Sequence, residues 1–208
     1  MSNTTHTPAA PGRPEGGRLR ADAARNRLKV LEAARIAFAE TGHDAQMSDI
    51  ARRAGVGVGT VYRHFPTKES LAQAIVEHRF QQVVLFLRTE VLPDPDPWNG
   101  IVRSFEYCAT MQELDRGHIE TVTVMVGGNK FDERAIAELN ELTETVLRRA
   151  QAEGSVRPDL TAADMSPLYI GLAQVVLAGV IDWRRYLDIL LDGIRPRRDG
   201  CSETRGQS

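Results

Sequence analysis

The stretch Ala54–Leu71, AGVGVGTVYRHFPTKESL, decides how this chain is read. Three glycines spaced by single residues precede an aromatic and basic cluster, and glycine-rich loops that open onto helices can cradle phosphate. A dinucleotide or P-loop site needs a buried strand before its glycines, a long helix after them and often a Lys-Ser/Thr pair. Here the preceding segment, Ser48–Ala54 (SDIARRA), has the pattern of an amphipathic helical turn. The segment that follows lasts about two helical turns before Pro66, and no second strand offers an acid to a ribose. The glycine spacing therefore stands in the wrong context for a nucleotide.

The same residues suit two short helices crossing steeply. Such a corner needs a small residue at the crossing, a turn residue that tolerates positive φ, and a β-branched residue to fill the gap. Ala51, Gly55 and Val61 supply these, with Ile50, Val56 and Phe65 as core support. If Val61 and Phe65 face inward, Thr60, Arg63 and His64 share the outer face of the second helix. Tyr62 then flanks them, and Lys68 projects from the start of the next helix. Hydroxyl, phenol, imidazole and ammonium groups are common phosphate donors. Val58 and Gly59, at the helix start, come nearest to base edges and offer only apolar or backbone contacts there. Arg52 and Arg53 read as solvated.

Outward from this corner the chain reads as all-α, with about nine helices. Residues 1–19 are Pro/Gly-rich with Arg13 and Arg18, and read as a flexible arm; the segment has no apolar core of a secretory signal. Leu28, Leu31, Ala34 and Phe38 mark one face of a helix that starts near Ala23 and ends at Gly42. Met47–Ala54 and Val58–His64 are short helices. Thr67 caps a long one from Lys68 to roughly Leu92, ended by Pro93, Pro95 and Pro97. Trp98, Ile101, Val102, Phe105 and Ala109 line the next. Residues 117–125 are β-branched enough for a strand but lack a pairing partner, so a helix is expected. Another helix carries Ile136 to Ala150 and stops at Gly154. Thr161 and Asp164 form a capping box for a helix reaching Gly179, and a last helix runs from Asp182 to Pro196.

Composition limits the function classes. The 208 residues are 42% hydrophobic and 26% charged, enough for a real core, and no run approaches the roughly 18–20 apolar residues of a membrane span. Residues 1–80 hold 12 Lys/Arg against 8 Asp/Glu, whereas residues 81–208 hold 14 against 20. A basic front suggests an anionic partner there. Two distant cysteines, Cys108 and Cys201, make no disulfide framework, which fits free thiols and a cytoplasmic location. His78 and His118 are isolated from other metal-ligating residues, and no nucleophile-base set or paired acids recommends an enzyme. No cofactor or metal is expected.

The stretch Ser48–Leu71, SDIARRAGVGVGTVYRHFPTKESL, resembles the DNA-binding signature of the TetR (tetracycline-repressor-like) regulators, a likeness spanning about residues 24–75. The closing Trp183–Pro196, WRRYLDILLDGIRP, is similar to the family's end. The resemblance implies an all-α homodimer with a three-helix DNA-binding head over residues 20–67. It implies a ligand-binding and dimerisation domain over residues 68–196 and a C-terminal tail over residues 197–208. It further implies that Thr60, Tyr62, His64 and Lys68 contact phosphates of double-stranded DNA while Val58, Gly59 and Arg63 face the groove. Where the family usually places a capping Ser or Thr, this chain has Gln46 and Met47, with Ser48 just inside; Gln46 and Ser48 complete the candidate DNA contacts.

The resemblance also implies a small, mostly apolar effector. Candidate walls of its pocket are Trp98, Phe105, Met111, Met125, Phe131 and Tyr169, with Gln112, His118 and Asn129 as polar anchors. For the dimer, the expected face is Leu168, Gly171, Leu172, Val175, Val176 and Gly179, completed by Leu187, Leu190, Leu191 and Ile194. The expected behaviour is a repressor on a palindromic operator, released by the effector. On the residues alone, a nucleotide-using enzyme and an all-α dimer with a head that ignores DNA remain open.

Overall fold

The computed structural model describes residues 15–126 and 133–196. Asn129, Phe131 and Cys201, named above, lie outside them. Nine α-helices and no strand occur among the described residues. They are α1 (Glu15–Thr41), α2 (Met47–Ala54), α3 (Val58–His64), α4 (Lys68–Phe86), α5 (Pro97–Leu114), α6 (Ile119–Val126), α7 (Glu133–Ala152), α8 (Ala162–Ala178) and α9 (Trp183–Ile194).

Two hydrophobic clusters organise them. The first joins Val30, Leu31, Ala34 and Phe38 of α1 to Ile50 and Ala51 of α2, Val61 of α3, and Leu71 and Ile75 of α4. Val122 of α6 completes it. The second gathers Leu87, Phe105, Leu147, Leu172, Leu187 and their neighbours from α4 onward. The first half of α4 thus packs with the head and its end with the body, so one rigid helix spans both cores.

Three expectations shift. α1 begins at Glu15 rather than near Ala23, because LRADAARNRL continues with good helix formers. Leu28 is half exposed rather than buried, since the apolar ceiling provided by α2 and α4 starts at Val30. α4 leaves α-geometry at Phe86, and its last turn, Leu87–Val91, is π-helical.

Caps explain the element ends. Gly55 has φ +67°, and its N–H reaches Arg52 O at 3.2 Å while Val56 N–H reaches Ala51 O at 3.1 Å. That left-handed residue closes α2 and turns the chain into α3. The Thr67 hydroxyl accepts the Ser70 N–H at 3.0 Å and starts α4. Asp96 accepts the N–H groups of Trp98 and Asn99 to start α5. At α8 the Asp164 carboxylate accepts both the N–H and the hydroxyl of Thr161, at 2.9 and 2.7 Å. Arg116 donates to Leu177 O, closing the C-terminus of α8 against the α5–α6 turn. In that turn Gly117 approaches α1 so closely that a Cβ would lie 2.8 Å from that of Ala39.

Candidate nucleic-acid interface and ligand cavity

α3 stands on two anchors. Val61 is fully buried and Phe65 nearly so, and Arg27 of α1 lies over the Phe65 ring at 5.5 Å. This orientation turns Val58, Gly59, Tyr62 and Arg63 to solvent, with Tyr62 and Val58 each about half exposed (50% and 46%). Thr60 is half-buried beside them. Arg63 has no carboxylate partner among the described residues, whereas Arg52 pairs with Asp49 and Arg53 with Glu40. The exposed face therefore offers one unneutralised guanidinium, a phenol and an apolar edge.

His64 does not share that face. It follows Val61 by three positions, which turns it partly inward. Its Nε2 is buried without a hydrogen-bond partner among the described residues, and its ring tilts against Phe65. Gln46 occupies the α2 N-cap position with extended backbone, yet its amide donates back to Asp44 O at 2.8 Å and makes no cap bond. Ser48 is exposed. Lys68 is half-buried, and its ammonium donates to His43 O at 2.6 Å, tying the start of α4 to the turn before α2.

In the body, α4, α5, α7 and α8 enclose a cavity of about 410 Å³. Val83, Phe86, Leu139, Met165 and Tyr169 give it an apolar wall, and exposed Ile136, Asn140 and Ile170 form its rim. Polar groups reach it from Ser104, Thr143, Gln112 and Arg79. A second void of about 280 Å³, bordered also by His118 and Val122, adjoins it across Arg79, Phe80 and Gln112. The Tyr169 hydroxyl lies 2.6 Å from Ser104 Oγ, and burial holds its phenol well above the ordinary range. Burial likewise pushes the Cys108 thiol up to about 11, so it is a protonated, neutral wall atom at neutral pH.

Of the expected pocket residues, Gln112, His118 and Tyr169 border these cavities. Phe105 is fully buried behind Tyr169, stacked on it at 4.1 Å, and acts as its support. Trp98 sits at the start of α5 under the Arg195 guanidinium. Met111 borders a groove on the α1 side of α4, and Met125 packs against the head core. These three are core or groove residues because helical periodicity does not say which neighbour an apolar face meets. Arg79, which no motif or spacing in the sequence marks, borders both voids.

The expected dimer face is also mostly internal. Leu172, Val176, Leu187, Leu190 and Ile194 are buried in the protomer's own core. Leu168, Gly171, Val175 and Leu191 are half-buried, and Gly171 lets the Tyr186 hydroxyl approach. Gly179 is exposed and caps α8 with φ +61°. The strongest apolar stripe of each helix thus faces its own body. Ile170, Val180, Ile181 and Ile189 remain on the outer surface of α8, α9 and their connection.

Residues 30–75 match the family model for bacterial regulatory proteins of the tetR family, and residues 97–196 match that for the SbtR-like transcriptional regulator C-terminal domain. The crystal structure of a TetR transcription regulatory protein from Mycobacterium vanbaalenii is similar at 33% identity and a TM-score of 0.64, over 85% of this chain and 99% of that one. The chain belongs to the TetR family of transcriptional regulators. The TetR regulator SCO0520 from Streptomyces coelicolor is similar at 29% identity and a TM-score of 0.64, over 83% of this chain and 99% of that one. The HTH-type transcriptional regulator UidR from Escherichia coli K12 is 29% identical over an alignment of 174 residues that covers 78% of this chain and 85% of that protein. As a TetR regulator the protein is a DNA-binding transcriptional regulator, and α2–Gly55–α3 is its helix-turn-helix. No described helix is long and apolar enough to cross a membrane.

Proposed function

We propose that this TetR regulator is a homodimeric repressor that holds a palindromic operator with α3 and releases it when a small, mostly apolar effector enters the cavity between α4 and α8. The observation that carries the DNA reading is the α3 face. Val58, Gly59, Tyr62 and Arg63 point outward because Val61 and Phe65 are locked inward. In the complex, Arg63 and Tyr62 meet the groove and its phosphates, Thr60 and Lys68 reach the backbone, and the paired Arg52 and Arg53 stay in the head.

Val58 and Gly59 give few hydrogen bonds to bases, so Arg63, Ser48 and DNA shape supply much of the sequence preference. The outward Ile170, Val180, Ile181 and Ile189 meet the same face of a second copy. A two-fold pair then sets two α3 helices about 34–36 Å apart, one DNA turn.

Release follows from connectivity. Only Phe65, Pro66 and Thr67 separate α3 from α4, and α4 runs on to the cavity. An effector that favours a shifted α4 alters the spacing of the two heads. Its preference for that state sets the coupling, typically about 1–3 kcal/mol. The test is an electrophoretic shift with DNA flanking the protein's own coding region. A shift by the wild type that Arg63→Ala abolishes supports the reading, and equal binding by both proteins contradicts it.

A further inference from the structure

Arg79 is the one formally charged side chain among the described residues bordering the 410 Å³ cavity. It lies only one-fifth exposed, and it turns its guanidinium toward the end of α5. There it donates to Asp115 Oδ2 and, at 2.8 Å, to Gln112 Oε1. The same carboxylate accepts from Arg35 of α1, through Nε at 3.2 Å and Nη2 at 2.8 Å. Asp115 is buried, so a single carboxylate clamps α1 and α4 to α5.

Charge in this clamp does not balance on the cavity side. Arg35 has a second acid, Glu32, at 2.5 Å on the solvent side. Arg79 shares Asp115 and has no other carboxylate among the described residues. Arg79 also borders the groove on the opposite side of α4, and there Glu32 and Asp115 stand beside it and Arg35, whereas no acid borders the cavity among the described residues. A desolvated guanidinium facing apolar walls gains most from an anion placed on those walls' side.

We propose that the effector is a small apolar molecule carrying one carboxylate, that Arg79 is the group that selects it, and that this pairing draws Arg79 from Asp115 and loosens the clamp between α1, α4 and α5. The proposal rests on the cavity being the effector site. A neutral analogue of equal size leaves Arg79 with Asp115 and therefore neither binds as well nor loosens the clamp. Arg79 lies eleven residues into α4, about 16 Å from its start at 1.5 Å per residue. A rigid helix carries a displacement at that point back to α3.

Calorimetry on the full chain with octanoate against octanol, and with phenylpropionate against phenylpropanol, isolates the head group at constant tail. In at least one pair the acid is expected to bind about tenfold more tightly or better, and Arg79→Gln should erase that preference, so that acid and alcohol bind the variant alike. Amide exchange should rise around Arg35 and Asp115 with the acid and not with the alcohol. This exchange pattern and the wild-type comparison decide the matter if Arg79→Gln does not fold. Equal affinities within both pairs, no binding by any of the four, or an acid preference that survives Arg79→Gln overturns the proposal. With any of these, an intact DNA shift leaves the regulator reading standing. Loss of the shift with the acid preference intact breaks that reading and not this one.

Discussion

The Lys68 ammonium donates to the backbone carbonyl of His43 at 2.6 Å, so the first residue of α4 is fastened to the turn that precedes α2. The helix that borders the 410 Å³ cavity is thereby held to the helix-turn-helix head from below as well as through the α3–α4 link. Two donors of the ammonium remain for a DNA phosphate. Lys68→Ala is expected to weaken DNA binding and to lower the slope of log K against log salt by about 0.9, the share of one phosphate contact. Binding measured from low to moderate salt checks this. Tyr62→Ala should weaken binding with an unchanged slope, because a phenol releases no counterion.

The two glycines of the corner should respond oppositely to alanine. Gly55 sits at φ +67°, so Gly55→Ala is strained and should cost about 1 kcal/mol even though no atom obstructs the added methyl. Gly59 lies inside α3 with open space around it, and Gly59→Ala should raise stability by about 0.5–1 kcal/mol. The added methyl would stand on the DNA-facing surface, so the stabilised variant is expected to bind DNA less well. Urea unfolding together with a binding titration separates the two effects.

Asp115 is the buried anchor of two arginines, and removing it leaves both without their shared acid. Asp115→Ala should cost about 3 kcal/mol, the lower end for a broken buried pair because Arg35 is about a third exposed. Arg35→Gln should cost less, since Arg79 still satisfies the carboxylate. Chemical denaturation of the two variants tests the order.

Acid should weaken the fold through two imidazoles, the buried His118 and the half-buried His78. Burial lowers the His118 pKa most, with Arg35 and Arg79 acting in the same direction and Asp115 against them. Burial also lowers that of His78, helped by Arg27 and Arg35. The unfolded chain takes up these protons near pH 6.5, and the folded protein only at lower pH. This contribution is therefore complete above about pH 6.5 and is lost as the pH falls through the depressed folded values. His118→Gln should flatten the decline in denaturation midpoint between pH 7 and 5, and an unaltered decline would refute the assignment.

The outer face of α8 and α9 is where a partner copy is expected. Ile189 is about half exposed between Arg185, Asp188 and Asp192 on the outward side of α9. Ile189→Glu, which faces no core of its own protomer, should leave the secondary structure intact and shift the mass measured by light scattering toward the monomer.

Local signals made the head legible. Gly55, Val61, Phe65 and Thr67 each have one geometric use within a few residues of their neighbours, and the spacing alone placed α2, the turn and α3. Lys68 and His64 were harder, because the carbonyl that Lys68 bonds lies across the head and the burial of His64 Nε2 comes from the folded head, not from local spacing. The body was legible as helices but not as a site. Leu172 and Leu187 look alike in sequence whether they face their own core or a second chain. Nothing in the sequence marks Arg79, because only the folding together of α1, α4 and α5 brings it to Asp115. Phe105 and Tyr169 were both named, and it took their stacking order to show which one touches the cavity.

Hydroxyl-radical footprinting of the DNA flanking the protein's own coding region tests the central claim, that a two-fold pair of α3 helices reads DNA. The expected result is two symmetric protected segments centred about one helical turn apart, both lost together in the Tyr62→Ala, Arg63→Ala double variant. Protection that survives the double variant, or no protection at protein concentrations that saturate the wild-type shift, would contradict it.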